Sequence, residues 1–373
     1  LKIAIEARPI QWSYGTGIGN YTYCLLDKLN GIDLVNDYTF LWPDRHPEPF
    51  IPMQRPYSFY TLPKDDRREE MEIPLWLRQE GVDLYHLPQN GFRIPKNTAV
   101  KIVVTIHDLI PYCLPEMVRP SFLKRFITEM PDIITASDHI ITVSSAAKQD
   151  IIRLFPVDPA KISVVPSAPA TAFRRLPAAT VTRELQQKYR IKRPYILYVG
   201  GFNPRKNVAE LIYAYSKINR ELPDGQLLVI PGAAGRHLQK LQILVTALDL
   251  EAYVVFPGFV ISDDLPLFYN GADLFVYPSL YEGFGLPPIE AMACGTPVIA
   301  ANTSSLPEVA GEAALLVDPR DTLKLAETIW QVLTDPALAA DLRAKGLAHC
   351  QKYTWAANAA QILQIYQQTV DGK

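Results

Sequence analysis

The 373 residues are 48% apolar and 20% charged, a balance that argues against disorder, and the length exceeds what one core usually fills, so two domains are expected. Thirty-seven Lys and Arg against thirty-nine Asp and Glu give a net charge of -2, which leaves no global positive field for nucleic acid or an anionic membrane. Four scattered cysteines without a C-x-x-C pair, and only six His, speak against a disulfide framework or a Cys/His metal cluster. With no apolar run of about 18 residues and no charged-then-apolar leader, the expected location is the cytoplasm.

In chain order, "KIAIEA" (2–7) reads as a short buried strand and "GTGIGNYTYCLLDKLN" (15–30) as a glycine loop running into an amphipathic helix. "VDLYHL", "AVKIVVTIHDLI" and "HIITVS" are β-branched runs separated by helix-like stretches, "PSFLKRFITEMPDIITAS" and "SAAKQDIIRLF", the latter capped by Ser144 or Ser145. After "KISVVP", the stretch near 166–182 is rich in Pro, Ala and Thr, has no clean period and reads as a linker. A second alternating series follows, from "PYILYVGG" through "NVAELIYAYSKINREL", "QLLVIPG", "GRHLQKLQILVTALDL", "YVVFPG", "SDDLPLFYNGA", "DLFVYPS" and "PPIEAMACG" to "TPVIAAN". Strands alternating with helices predict two α/β lobes, each a parallel sheet with crossover helices, and "WAANAAQILQIYQQTV" predicts a long terminal helix.

Four stretches carry chemistry. In "YEGFGLPPIEAMACGTPV" (281–298), Glu282 and Glu290 flank a glycine loop that opens a helix. Backbone N–H groups at Phe284, Gly285 and Leu286, with the helix N-terminus behind them, suit a phosphate, and glycine lets the backbone come close. Carboxylates beside such a site must serve neutral hydroxyls, and a phosphate between two polyhydroxyl rings is a nucleotide sugar; the plainer alternative is that Glu290 only favours its helix start and Glu282 is solvated. "YVGGFNPRKN" (198–207) puts Arg205 and Lys206 after a glycine turn, either to neutralise a diphosphate or as a solvated helix start. "GTGIGNY" fits neither the dinucleotide fingerprint nor a P-loop, so a simple turn also accounts for it. "VVTIHDLIPYCLPE" places His107 and Asp108 at a strand's carboxyl end, where a lone His is either structural or functional.

The first of these stretches resembles the E-x7-E signature of retaining glycosyltransferases with the GT-B fold, the group 1 type of glycosyltransferase family 4; the likeness extends over "LPLFYNGADLFVYPSLYEGFGLPPIEAMACGTPVIAANTSSLPEVAG" and more weakly over nearly the whole chain. The resemblance implies two facing Rossmann-like domains with a cleft between them: 1–175 on the acceptor side, 176–354 for the donor, and 355–373 as a helix packing back on the first. It implies Glu282 on the donor-sugar hydroxyls, the backbone of Phe284, Gly285 and Leu286 on sugar and phosphate, Glu290 on the ribose diol, and Lys206 on phosphate. Many relatives carry Arg where this chain has Gly201, which leaves Arg205 as the candidate second cation. Gly15, Gly17 and Gly19 match the family's first glycine loop, which lies across the cleft from the donor and is expected with Gly201 among the donor-binding positions, and His107 matches a His near the reacting sugar and acceptor. The chain contains no D-x-D, so a metal-free step with no cofactor is expected, and the resemblance implies front-face attack through an oxocarbenium-like state.

The expected partners are a UDP- or GDP-hexose and a glycan or lipid-linked acceptor, with peripheral contact at the cytoplasmic membrane face as an option and polysaccharide or glycolipid assembly as the setting. A nucleotide-sugar epimerase and a non-catalytic sugar-nucleotide binder are the alternatives.

Overall fold

The computed structural model describes residues 1–12, 17–43, 57–62, 66–96, 98–192, 194–222 and 225–372. It divides into two compact units, Leu1–Ser167 together with Tyr353–Lys373, and Ala168–Lys352.

Among the described residues the first unit holds seven parallel strands: β1 (Lys2–Glu6), β2 (Asp37–Trp42), β3 (Ser58–Thr61), β4 (Leu84–Leu87), β5 (Lys101–Ile106), β6 (His139–Thr142) and β7 (Ile162–Val164). Their order across the sheet is β3-β2-β1-β4-β5-β6-β7. The described residues of the second unit hold six: β8 (Tyr195–Leu197), β9 (Leu227–Val229), β10 (Val254–Val255), β11 (Leu274–Tyr277), β12 (Val298–Ala301) and β13 (Leu315–Val317), ordered β10-β9-β8-β11-β12-β13. Each sheet therefore reverses direction beside its first strand, the Rossmann-like order, and ligands of such sheets bind outside the carboxyl ends at that reversal. In the second unit the reversal lies between β8 and β11, registered Leu274 to Ile196 and Phe275 to Leu197.

Why these segments are strands is plain from their burial. The "LFVY" of β11 and the "VIAA" of β12 are buried at every position, as helices on both faces of a parallel sheet require. The helix Pro120–Ala136 instead buries one stripe, Phe126, Met130, Ile133 and Ile134, and leaves Phe122 and Ile127 exposed. Ser144 caps the helix Ser145–Leu154, its Oγ accepting from Ala147 N–H at 3.0 Å.

The division falls at Ser167–Ala168, earlier than the expected 175, because the Pro-rich stretch has partners in the second unit. Asn270 Oδ1 accepts from Leu176 N–H at 2.8 Å, Asn270 Nδ2 donates to Arg174 O at 2.8 Å, and Phe173 meets the Tyr269 ring edge-on at 5.6 Å. The terminal helix, Trp355–Asp371, packs within the first unit. Asn358 Nδ2 donates to Pro166 O at 2.8 Å, Tyr366 OH lies 2.6 Å from His86 Nδ1, and Trp355 stands edge-on to Tyr21. No helix among the described residues is long and apolar enough to cross a membrane.

Candidate functional site

The carboxyl ends of β8 and β11 carry the charged cluster that the sequence singles out. After β8, Gly200 and Gly201 turn the chain at φ +154° and +73°, the tight turn Pro204–Lys206 follows, and Asn207 at φ +58° starts the helix Val208–Ile218. Asn203 Oδ1 accepts from Arg205 N–H at 3.0 Å and so shapes the turn. Arg205 and Lys206 thus belong to this turn rather than to the helix itself. A Cβ at Gly201 would meet open space, so no side chain projects there.

After β11, the loop to Gly285 is tied down by hydroxyls that follow β12. Thr303 Oγ1 donates to Ser279 O at 3.0 Å, Glu282 N–H donates to Ser304 Oγ at 2.8 Å, and the single Ser305 hydroxyl hydrogen is shared between Glu282 O and Phe284 O, 2.9 and 2.7 Å from its Oγ. Arg205 holds the same loop from the other side, its NH1 donating to Tyr281 O and its carbonyl accepting from Leu280 N–H at 2.9 Å.

These restraints bring opposite charges together from positions far apart in sequence. Lys206 Nζ lies 2.7 Å and Arg205 NH1 2.8 Å from Glu282 Oε1. Tyr277 OH and Ser279 OH donate to the same oxygen at 2.9 and 2.5 Å. Burial alone would raise the Glu282 carboxyl, but Lys206 and then Arg205 outweigh it and hold it at about 2. It is an anion throughout the physiological range.

Gly285, at φ +102°, leads into the helix Leu286–Ala293. Pro287 and Pro288 have no N–H to offer, so the donors of the first turn are concentrated on its leading residues. On that helix the partly buried Glu290 carboxylate accepts from Tyr269 OH at 2.8 Å. Burial pushes Glu290 up to about 7, and the Tyr269 hydrogen bond opposes the rise. The two acids therefore differ in kind: Glu282 is a fixed anion, and Glu290 titrates near neutrality.

The first unit contains the remaining predicted residues. His107 follows β5, with Nε2–H donating to Pro88 O at 2.9 Å and its N–H to Asn90 Oδ1 at 2.8 Å. Burial pushes its imidazole down to about 4, partly offset by the Pro88 bond, so the ring is neutral with Nδ1 as its acceptor. Asp108 Oδ1 accepts from Ile110 N–H, a turn contact. Gly17 and Gly19 lie in the first turn of the helix Gly17–Ile32, one exposed and one buried, while Gly15 lies outside the described residues. No three of His, Cys, Asp and Glu converge among the described residues.

Sequence reasoning misses Tyr277, Ser279, Tyr269 and the Thr303–Ser305 clamp. It also passes over Arg8, buried after β1 between Glu6 and Glu69, with NH1 at 3.0 Å from Glu69 Oε1.

The chain matches "Glycosyl transferases group 1" over residues 181–349 and "Glycosyltransferase Family 4" over residues 17–169. It is 34% identical to the O-antigen chain mannosyltransferase B of Escherichia coli over 78% of this chain and 76% of that one. Among solved structures, a sucrose-phosphate synthase of Thermosynechococcus elongatus aligns over the whole of both chains with a TM-score of 0.78 at 25% identity. The Anabaena protein HepE, solved with UDP and glucose, aligns over 99% of this chain and 100% of its own at TM-score 0.75 and 18% identity, a likeness of fold.

Proposed function

The chain belongs to the group 1 glycosyltransferases, and from that premise we propose that it moves a hexosyl unit from a nucleoside diphosphate sugar to an acceptor hydroxyl, with retention and without a metal ion. Its mannosyltransferase relative makes mannose the first sugar to test, and makes a glycan or lipid-linked saccharide in polysaccharide assembly the first acceptor class.

The observation that carries the reading is the placing of Lys206 and Arg205 on Glu282 at the reversal of the second sheet, beside the helix that bears Glu290. Two cations at a strand end suit a diphosphate whose charge grows as the glycosidic bond breaks. In this reading Arg205 supplies the second cation that Gly201 lacks. The backbone of Phe284, Gly285 and Leu286 meets sugar and phosphate, Glu282 takes sugar hydroxyls, and Glu290 takes the ribose diol. Gly15, Gly17, Gly19 and Gly201 serve the donor, and the neutral His107 stands near the reacting sugar and acceptor, where Nδ1 can accept a hydroxyl hydrogen. The family resemblance puts Glu282 beside the sugar hydroxyls, so no covalent nucleophile is assigned. The departing phosphate takes the acceptor proton on the face that it leaves.

The deciding experiment screens UDP-glucose, GDP-mannose and dTDP-glucose by thermal shift, then follows transfer to a mannosyl acceptor with and without chelator, reading the anomeric configuration of the product by NMR. Stabilisation with no transfer to any acceptor favours a binder, and a changed sugar without acceptor favours an epimerase. Loss of transfer on chelation overturns the metal-free step, and an inverted product overturns retention.

A further inference from the structure

Tyr277, the last residue of β11, is placed to act through both charged groups of the site. Its hydroxyl lies 2.6 Å from Lys206 Nζ and 2.9 Å from Glu282 Oε1. An ammonium has hydrogens only to give, and an ionised carboxylate can only accept them. The phenolic hydrogen must therefore point at Glu282, and a phenolic lone pair at Lys206. One oxygen links the two residues, and each of them fixes its direction.

The ring cannot swing away. It stacks on Tyr198 at 6.1 Å and 18°, and on Phe275 at 5.9 Å and 21°. Gly200 leaves the room that this stack needs, since a Cβ there would stand 2.8 Å from Tyr198 Oη and 3.2 Å from Tyr277 Cε2. Lys206 Nζ also lies 5.0 Å from the centre of the Tyr277 ring. On the carboxylate, the contacts from Lys206, Arg205, Tyr277 and Ser279 all fall on Oε1, and among the described residues Oε2 receives no hydrogen bond.

We propose that Tyr277 is a positioning residue, whose hydroxyl tethers the Lys206 ammonium and turns Glu282 so that Oε2 and the ammonium are presented together to the donor. This role rests on the donor-site reading above. A diphosphate arriving at Lys206 competes with Glu282 for the ammonium. With three hydrogens, Nζ can turn one to a phosphate oxygen while another stays on the phenol. Without the phenol, the ammonium has the carboxylate as its strong anchor and is drawn onto it, and Glu282 loses one of the donors that orient it. The damage falls chiefly on the step in which phosphate charge develops, because that is when the placing of the cation matters most.

The test is Tyr277→Phe, which keeps the ring and its stack and removes only the oxygen. The expected result is a fall in kcat of roughly 10- to 100-fold with the donor KM changed less than about threefold. Because the tether on Lys206 is only one of the two contacts, the same substitution in a Lys206→Ala background should keep the part that runs through Glu282 and cost at least about threefold less than in the wild type. A merely structural tyrosine would cost the same in both backgrounds, and that result overturns the proposal, as does an unchanged kcat. Thermal shifts with GDP-mannose and UDP-glucose separate the two levels of argument. If neither donor stabilises the wild-type protein, the donor-site reading fails and takes this role with it. If a donor stabilises it and Tyr277→Phe turns over normally, this role alone fails.

Discussion

Lys206 Nζ and Glu282 Oε1 stand 2.7 Å apart, so two residues assigned to opposite parts of the donor are each other's partners. Arg205 shares that oxygen at 2.8 Å. On the proposed donor reading, the carboxylate neutralises the cations that a diphosphate would need and thus competes with it. Glu282→Gln keeps the shape and removes the competitor. UDP or GDP should then bind roughly three- to tenfold more tightly, on the order of 1 kcal/mol, while transfer falls by about 100-fold or more for want of the sugar contact. Calorimetric titration beside an activity assay checks both, and weaker nucleotide binding by the Gln variant would refute the competition.

Lys206→Ala should depress turnover more than donor binding, by about 100-fold against less than tenfold, if the cation acts on charge that grows in the transition state. Equal losses in both would assign Lys206 to ground-state binding. The variant also carries a pH signature. Glu282 is held at about 2 against an ordinary value of 4.5, so the pair contributes stability that is fully present above pH 4.5 and is lost as pH falls through about 2. The wild-type melting temperature should exceed that of the variant most above pH 4.5, and the gap should close toward pH 2.

Much of this was legible in the sequence, for physical reasons that also mark where reading stops. Strands buried on both faces announce themselves as apolar runs, as in the "KIVVTI" of β5 and the "LFVY" of β11. Asp37–Trp42 is a strand that opens with Asp and leans on aromatics, and Leu315–Val317 is three residues long, so neither offers such a run. The helix Pro336–Cys350 is rich in alanine and shows no strong apolar stripe. At the site, the acids, bases and glycines can be read because their chemistry is unusual for their position. Tyr277 and Ser279 cannot, because a tyrosine in a strand run looks like core, and its link to Lys206 spans 71 residues.

Gly285→Ala should disturb, through the backbone, the turn proposed to meet the donor phosphate. Its φ of +102° disfavours any side chain, and a Cβ there would lie 2.6 Å from Leu306 Cδ2, whose side chain is fully buried. A loss of about 1 to 3 kcal/mol in folding stability is expected, with donor affinity reduced as well. Urea denaturation with and without GDP-mannose measures both. Unchanged stability would mean that the loop relaxes freely, against the clamp formed by Thr303, Ser304 and Ser305.

Glu290 gives the site a pH dependence whose sign is fixed by chemistry. Its carboxyl is raised to about 7 by burial, so near neutrality it is protonated in about half the molecules. A diol presents two hydroxyl hydrogens, which an ionised carboxylate accepts and a protonated one accepts less well. Donor affinity should therefore rise as pH increases from about 6 to 8 and level off above that. Binding should release protons, visible as a buffer-dependent enthalpy. Folding runs the other way: a raised carboxyl value means that the folded form holds its proton more tightly, so the stability contributed by protonated Glu290 is lost as pH climbs from 4.5 through about 7. Glu290→Gln should flatten both profiles, and Glu290→Ala should weaken donor binding by roughly 1 to 3 kcal/mol. Donor titrations at pH 6, 7 and 8 for the wild type and the Gln variant decide the matter. A pH dependence that survives in the Gln variant would assign the titrating group elsewhere and take Glu290 off the diol.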